Sequence, residues 1–135
     1  LNDSTDILII KSDKTELKKT ESFLLDFFRK NNLSEDNFNR VFLCVSEAVI
    51  NSIQHGNQND KHKQISIHAK YHNESVSLRI SDEGDGFDFN NLGDPTKPDN
   101  LKKESGRGIH IIKSLCEEIE FKEEGKCIQF KIECK

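Results

Sequence analysis

The chain has 135 residues, with 20 basic and 24 acidic side chains and a formal net charge of −4. That length suits one compact domain over residues 1–135 with a single core, and is too short for a catalytic domain plus an independent regulatory one. The basic residues are scattered among acidic ones and form no stripe that would neutralise a phosphate backbone, which sets nucleic acid aside as a direct partner.

Residues 6–11, DILIIK, are a short apolar run rich in β-branched residues and predict a strand. From Thr15 to about Asn31 the spacing changes: Leu17, Phe23, Leu24, Phe27 and Phe28 recur at helical intervals among charges. Ser34 then stands where an N-cap is needed for a second helix. On that helix Glu47, Asn51 and His55 fall within about 80° of one another. Phe38, Val41, Phe42, Val45, Val49, Ser52 and Ile53 take the roughly opposite arc, the pattern of a helix with one face in a core. Periodicity alone leaves two readings of the Glu47–Asn51–His55 strip open, a solvated polar face or the wall of a site. Further on, Ile65, Ile67, Ala69 and Tyr71 alternate with polar residues, as do Val76, Leu78 and Ile80, so a hairpin turning at Asn73-Glu74 is predicted. A segment without strong periodicity follows and carries both prolines, Pro95 and Pro98. It reads as a long functional loop, and the stretch from about Phe89 to Ser105 is expected to act as a lid. Ile109, Ile112 and Leu115 then restore helical spacing, and residues 118–134 read as a second hairpin turning at Glu124 and Gly125.

No signal-peptide pattern and no apolar run long enough to cross a bilayer is present. Cys44, Cys116, Cys127 and Cys134 form no C-x-x-C pair, and three of them lie in apolar-periodic segments where a thiol acts as a small hydrophobe. The expectation is a soluble cytoplasmic protein with free thiols and no membrane partner.

Two glycine clusters carry the chemistry. Asp82-Glu83-Gly84-Asp85-Gly86-Phe87 closes the second strand of the first hairpin, and alternate glycines there permit a close backbone approach that a Cβ would forbid. A calcium loop fails for want of the EF-hand ligand spacing and terminal glutamate. Gly106-Arg107-Gly108 directly precedes the amphipathic helix, where backbone N–H groups and the helix dipole favour an anion. Each motif is weak alone. Their order is specific: a helix with Glu47 and Asn51, a strand ending in D-x-G-x-G, a long loop, then G-x-G opening a helix.

That order resembles the ATP-binding (Bergerat) fold of DNA gyrase, the heat-shock ATPase chaperones and histidine kinases, and most closely the serine/threonine kinase anti-sigma factors. The resemblance covers nearly the whole chain. It implies an α+β, two-layer sandwich whose mixed, mainly antiparallel sheet is covered on one face by helices. It makes ATP and Mg²⁺ the cofactors, Asn51 the Mg²⁺ ligand and Glu47 the general base. Asp82 would accept a hydrogen bond from the exocyclic amino group of adenine. Gly84, Gly86 and Phe87 would lie near the base, Gly106, Arg107, Gly108 and Ile109 at the phosphates, and His55 along the same wall. For His55 a capping or solvent-facing role is an equal alternative. The implied partners are a sigma factor and an anti-sigma factor antagonist that is phosphorylated, with a possible homodimer.

The chain departs from the pattern at Gly125-Lys126-Cys127, where many members of this fold have a Gly-Thr pair whose threonine helps hold adenine. The first helix contains no histidine, which argues against a histidine kinase with an upstream phosphoacceptor helix. Two other classes stand beside the kinase: an ATP-binding switch that engages partners without phosphotransfer, and a structural α/β domain that binds no nucleotide.

Overall fold

The computed structural model describes residues 5–84, 104–122 and 126–135 and, of residues 104–107, the backbone alone. In chain order these form β1 (Asp6–Lys11), α1 (Leu17–Lys30), α2 (Glu35–Asn51), β2 (Gln64–His72), β3 (Ser75–Asp82), α3 (Glu104–Leu115), β4 (Glu118–Lys122) and β5 (Cys127–Glu133). A 3₁₀ turn, Lys14–Glu16, precedes α1, and a π turn, Ser52–Gly56, continues α2. Gly86, Phe87, the expected lid up to residue 103 and the turn at Glu124-Gly125 lie outside the described residues.

The strands form one sheet in the order β1-β2-β3-β5-β4. All four pairings are antiparallel, where a mixed sheet was expected. The reason is topological. The connection from β3 through α3 makes β4 run in the same direction as β3, but β5 turns back from β4 and inserts between them, so the two never become neighbours.

Register separates the two faces of the sheet. Leu8, Ile67, Ile80, Ile128 and Phe121 align across all five strands on the face that carries the core, and Ala69, Leu78, Phe130 and Ile119 form the next row. One residue out of step, Ile7, His68, Arg79, Gln129 and Glu120 line the opposite face. The period-2 alternation seen in the sequence is this separation. The helices close the apolar face, giving a two-layer α+β sandwich. Ile65, Ile67, Leu78, Ile80 and Phe130 are at most 1% exposed, and each such side chain contributes about 1.5–3 kcal/mol on burial.

Helix α1 joins the core through Leu24, Phe27 and Phe28, and the Phe28 ring meets Phe38 of α2 edge-on with centroids 5.3 Å apart. Helix α2 starts at the predicted cap, where Ser34 accepts a hydrogen bond from the Asp36 amide at 3.0 Å. It packs on β3 and between α1 and α3 in the helical layer, which is why Cys44, Val45, Ala48 and Val49 are all fully buried. All four cysteines are free, and burial pushes the Cys44 thiol up to about 12, so it behaves as a core hydrophobe. Asn73 and Glu74 both take left-handed backbone angles, the type I′ geometry that matches the twist of a two-residue hairpin. Among the described residues no helix is long and apolar enough to cross a membrane.

Candidate functional site

Glu47 and Asn51 are one turn apart in α2, as their spacing predicts. Their face is not solvated. Asn51 is 2% exposed, and Glu47 is half-buried beneath α3, where a Cβ on Gly108 would stand 3.0 Å from Glu47 Oε2. A glycine at that crossing costs roughly 0.5–1 kcal/mol of helix stability but lets α3 run directly over the carboxylate. Between α2, α3 and the 3₁₀ turn lies a cavity of about 350 Å³, lined by Lys14, Glu47, Ile50, Asn51, Gln54, Gly108 and Ile111. That volume is within the range of small-ligand sites.

Inside this cavity wall the Asn51 amide nitrogen is buried and has no hydrogen-bond partner among the described residues. A buried amide left unpaired costs on the order of 1–3 kcal/mol, so its capacity is held for something that enters. Turned about its terminal bond, the same group presents its oxygen. Mg²⁺ keeps several waters and takes one or two protein oxygens plus phosphate oxygens, and the Asn51 amide with Glu47 alongside fits that demand.

His55 is half-buried in a π turn over residues 52–56, whose wider coil breaks the four-residue register, and Gln54 is the residue of that turn that lines the cavity. The π turn serves another contact. It drives Gly56 against the end of β3, where a Cβ on Gly56 would overlap the Asp82 carboxylate and one on Gly84 would overlap the Gly56 carbonyl. Asp82 is half-buried, and its Oδ1 accepts a hydrogen bond from the Gly84 amide at 2.8 Å. Burial pushes its carboxyl above the usual range, while the Gly84 amide, Lys126 and Lys63 pull the other way.

Asn57, fully buried, ties the pieces together and was not legible as a site residue. Its backbone amide bonds Ser52 O at 2.7 Å, its side-chain nitrogen donates to Gln64 O at 3.1 Å, and its oxygen accepts from the Glu83 amide at 2.9 Å. One side chain thus fixes the π turn, the start of β2 and the turn that carries Asp82. Its only sequence signal is an asparagine directly after a glycine at the end of an apolar helix.

The second glycine cluster also differs from expectation. Helix α3 begins at Glu104, so Gly106, Arg107 and Gly108 lie within it and not before it. Unbonded helix amides are confined to the first turn, and Gly108 and Ile109 lie beyond it. Ile109 turns its side chain into the core. At the departure from the Gly-Thr pattern, Cys127 pairs with Ser81 on the face away from Asp82 and takes a contact from Arg79 Nε at 3.1 Å. The Lys126 carbonyl accepts from the Asp82 amide at 2.9 Å.

Residues 10–132 match the family described as the histidine kinase-like ATPase domain. The serine-protein kinase RsbW of Staphylococcus aureus (strain JH9) is 30% identical over 109 residues, 75% of this chain and 69% of that protein. The chain belongs to the histidine kinase-like ATPase family, in its RsbW-type anti-sigma kinase branch. The serine-protein kinase RsbW of Bacillus subtilis (strain 168) is also 30% identical, over 90 residues that make up 62% of this chain and 56% of that protein. The chain therefore matches a little over half the length of the Bacillus relative. The crystal structure of the RsbU and RsbW domains of Rv1364c from Mycobacterium tuberculosis superposes with a TM-score of 0.62 over 94% of this chain and 31% of that one, and at 14% identity it speaks for the fold. Membership of an ATPase family implies that the chain uses ATP.

Proposed function

We propose that this chain is an ATP-dependent anti-sigma factor with protein serine/threonine kinase activity, which phosphorylates an anti-sigma factor antagonist and sequesters a sigma factor when the antagonist is phosphorylated. The observation that carries this reading is a single juxtaposition: the Glu47 carboxylate, the buried unpartnered amide of Asn51 and Gly108 of α3 meet in one cavity. The similarity to serine-protein kinases named RsbW supports the reaction type.

In this reading Glu47 takes the proton of the attacking Ser or Thr hydroxyl as its oxygen bonds the γ-phosphorus and the bond to the β–γ bridging oxygen breaks, releasing ADP. Asn51 offers its amide oxygen to Mg²⁺, which when bound neutralises charge on the phosphate oxygens. Asp82 accepts from the exocyclic amino group of adenine and repels the carbonyl oxygen that guanine would place there. First-turn amides of α3 face the phosphates. A cytoplasmic setting and a homodimer belong to the same proposal, and the exposed Ile7 and Ile9 of edge strand β1 support an association surface.

Incubation with labelled ATP, Mg²⁺ and the candidate antagonist from the same cell tests the reading. Label on a Ser or Thr of the antagonist supports the kinase. Tight ATP binding without transfer to any antagonist would favour the binding-only switch.

A further inference from the structure

We infer that Lys14 is a specificity-determining residue that binds the terminal phosphate of the nucleotide and makes the site prefer a triphosphate to a diphosphate. The inference rests on the nucleotide reading above. Lys14 belongs to the 3₁₀ turn between β1 and α1, remote in sequence from every motif of the site, yet it lines the same cavity as Glu47, Asn51 and Gly108.

Its backbone is fixed and its charge is uncommitted. Asp13 caps the turn by accepting from the Thr15 amide at 3.0 Å, and the Ser12 amide bonds Lys63 O at 3.1 Å, which anchors the turn to the segment leading into β2. The neighbouring carboxylates are engaged elsewhere: Asp13 faces Lys61 at 3.8 Å, and Glu16 pairs with Lys19 at 3.0 Å and accepts from the Lys11 amide at 3.1 Å. The Lys14 ammonium has no hydrogen-bond or ion-pair partner among the described residues. A cation is thus presented to a cavity by a pinned turn, and among the described residues no carboxylate is ion-paired with it.

Position along α2 identifies which phosphate it meets. Asp82, the base end of the site, packs on Gly56 at the far end of the π turn. Moving back along the helix, Asn51 and then Glu47 follow, the last two separated by about 6 Å of rise. Lys14 shares its cavity with Glu47 and Asn51, and Asp82 is not among the lining residues, so Lys14 stands at the transfer end. The chemistry requires a cation there. A terminal phosphate beside the Glu47 carboxylate is a like-charge contact, and with a metal held on the Asn51 side, Lys14 supplies the compensating charge from the 3₁₀ turn.

The test is calorimetric titration of the folded protein and its Lys14→Met and Lys14→Arg variants with Mg²⁺-ATP and Mg²⁺-ADP at low and high salt. Because Lys14 is exposed and screened, the expected loss for Lys14→Met is about five- to tenfold in ATP affinity at low salt, with ADP affinity within about twofold of wild type and a shallower salt dependence for ATP. Lys14→Arg should keep most of the ATP preference. Equal loss for ATP and ADP, or no loss for either, would overturn the terminal-phosphate contact while leaving the nucleotide site intact. A wild type that binds neither nucleotide would instead overturn the nucleotide reading and this inference with it.

Discussion

Gly56 and Asp82 pack so closely that a Cβ on the glycine would overlap the aspartate's carboxyl group. The π turn that ends the α2 segment exists to make that approach, and two substitutions separate its parts. In Gly56→Ala the new methyl meets the end of a side chain, so Asp82 is displaced while the fold persists. ATP affinity is expected to fall at least about tenfold with melting near that of wild type. In Gly84→Ala the methyl meets the Gly56 carbonyl, a backbone atom that cannot swing aside, and stability should drop by about 1–3 kcal/mol. Urea denaturation of the two variants beside ATP titrations distinguishes the cases.

Asp82 should trade stability for binding. Its carboxyl pKa is raised in the folded state, so the charged form is easier to reach in the unfolded chain, and the wild type loses stability as pH rises from the ordinary value of 3.8 through the folded value. Asp82→Asn lacks that loss. At neutral pH it should melt at or above the wild-type temperature, with the advantage vanishing below about pH 3.8, where both side chains are neutral. Its ATP affinity should nevertheless fall roughly ten- to hundredfold, because a charge-assisted hydrogen bond is lost. Scanning calorimetry across pH and titration with ATP check both halves. A folded variant with unchanged affinity would remove Asp82 from the adenine site.

Asn57→Ala leaves the Glu83 amide and the Gln64 carbonyl without their partners. The expected loss is on the order of 2–4 kcal/mol, since each buried polar group left unsatisfied costs about 1–3 kcal/mol. Hydrogen exchange should show the Glu83 amide losing protection ahead of the β2–β3 ladder. Uniform loss across the sheet would make Asn57 a general core residue and not the tie between the two turns.

Much of this was legible because the responsible forces are local. The alternation in β2 and β3 reports a sheet with one apolar face, Ser34 caps the helix its chemistry suits, and Asn73-Glu74 turns the hairpin. What was not legible depends on contacts between distant segments. The π turn at Ser52–Gly56 has no propensity signature of its own, because its cause is the proximity of Asp82 and Gly84, so the break in helical register after Asn51 could not be read from spacing. Gly106 and Gly108 resemble a loop motif in isolation, yet the helix runs through both, and at Gly108 the space a Cβ would take is approached by Glu47 of α2. Lys14 lies in a charged turn whose lysines look interchangeable until the structure shows which one lines the cavity with Glu47.

Whether Glu47 is the base is decided by single-turnover transfer of labelled phosphate at saturating Mg²⁺-ATP to the cognate antagonist, with the ATP dissociation constant measured separately for each variant. Glu47→Gln keeps the side-chain size under Gly108 and cannot take the hydroxyl proton, so transfer should fall by about 10²- to 10⁴-fold while ATP affinity changes by less than about twofold. Asn51→Ala should differ by weakening Mg²⁺-dependent binding as well as transfer, because it removes the amide oxygen offered to the metal. Transfer by Glu47→Gln at the wild-type rate would contradict the assignment of Glu47 as the general base.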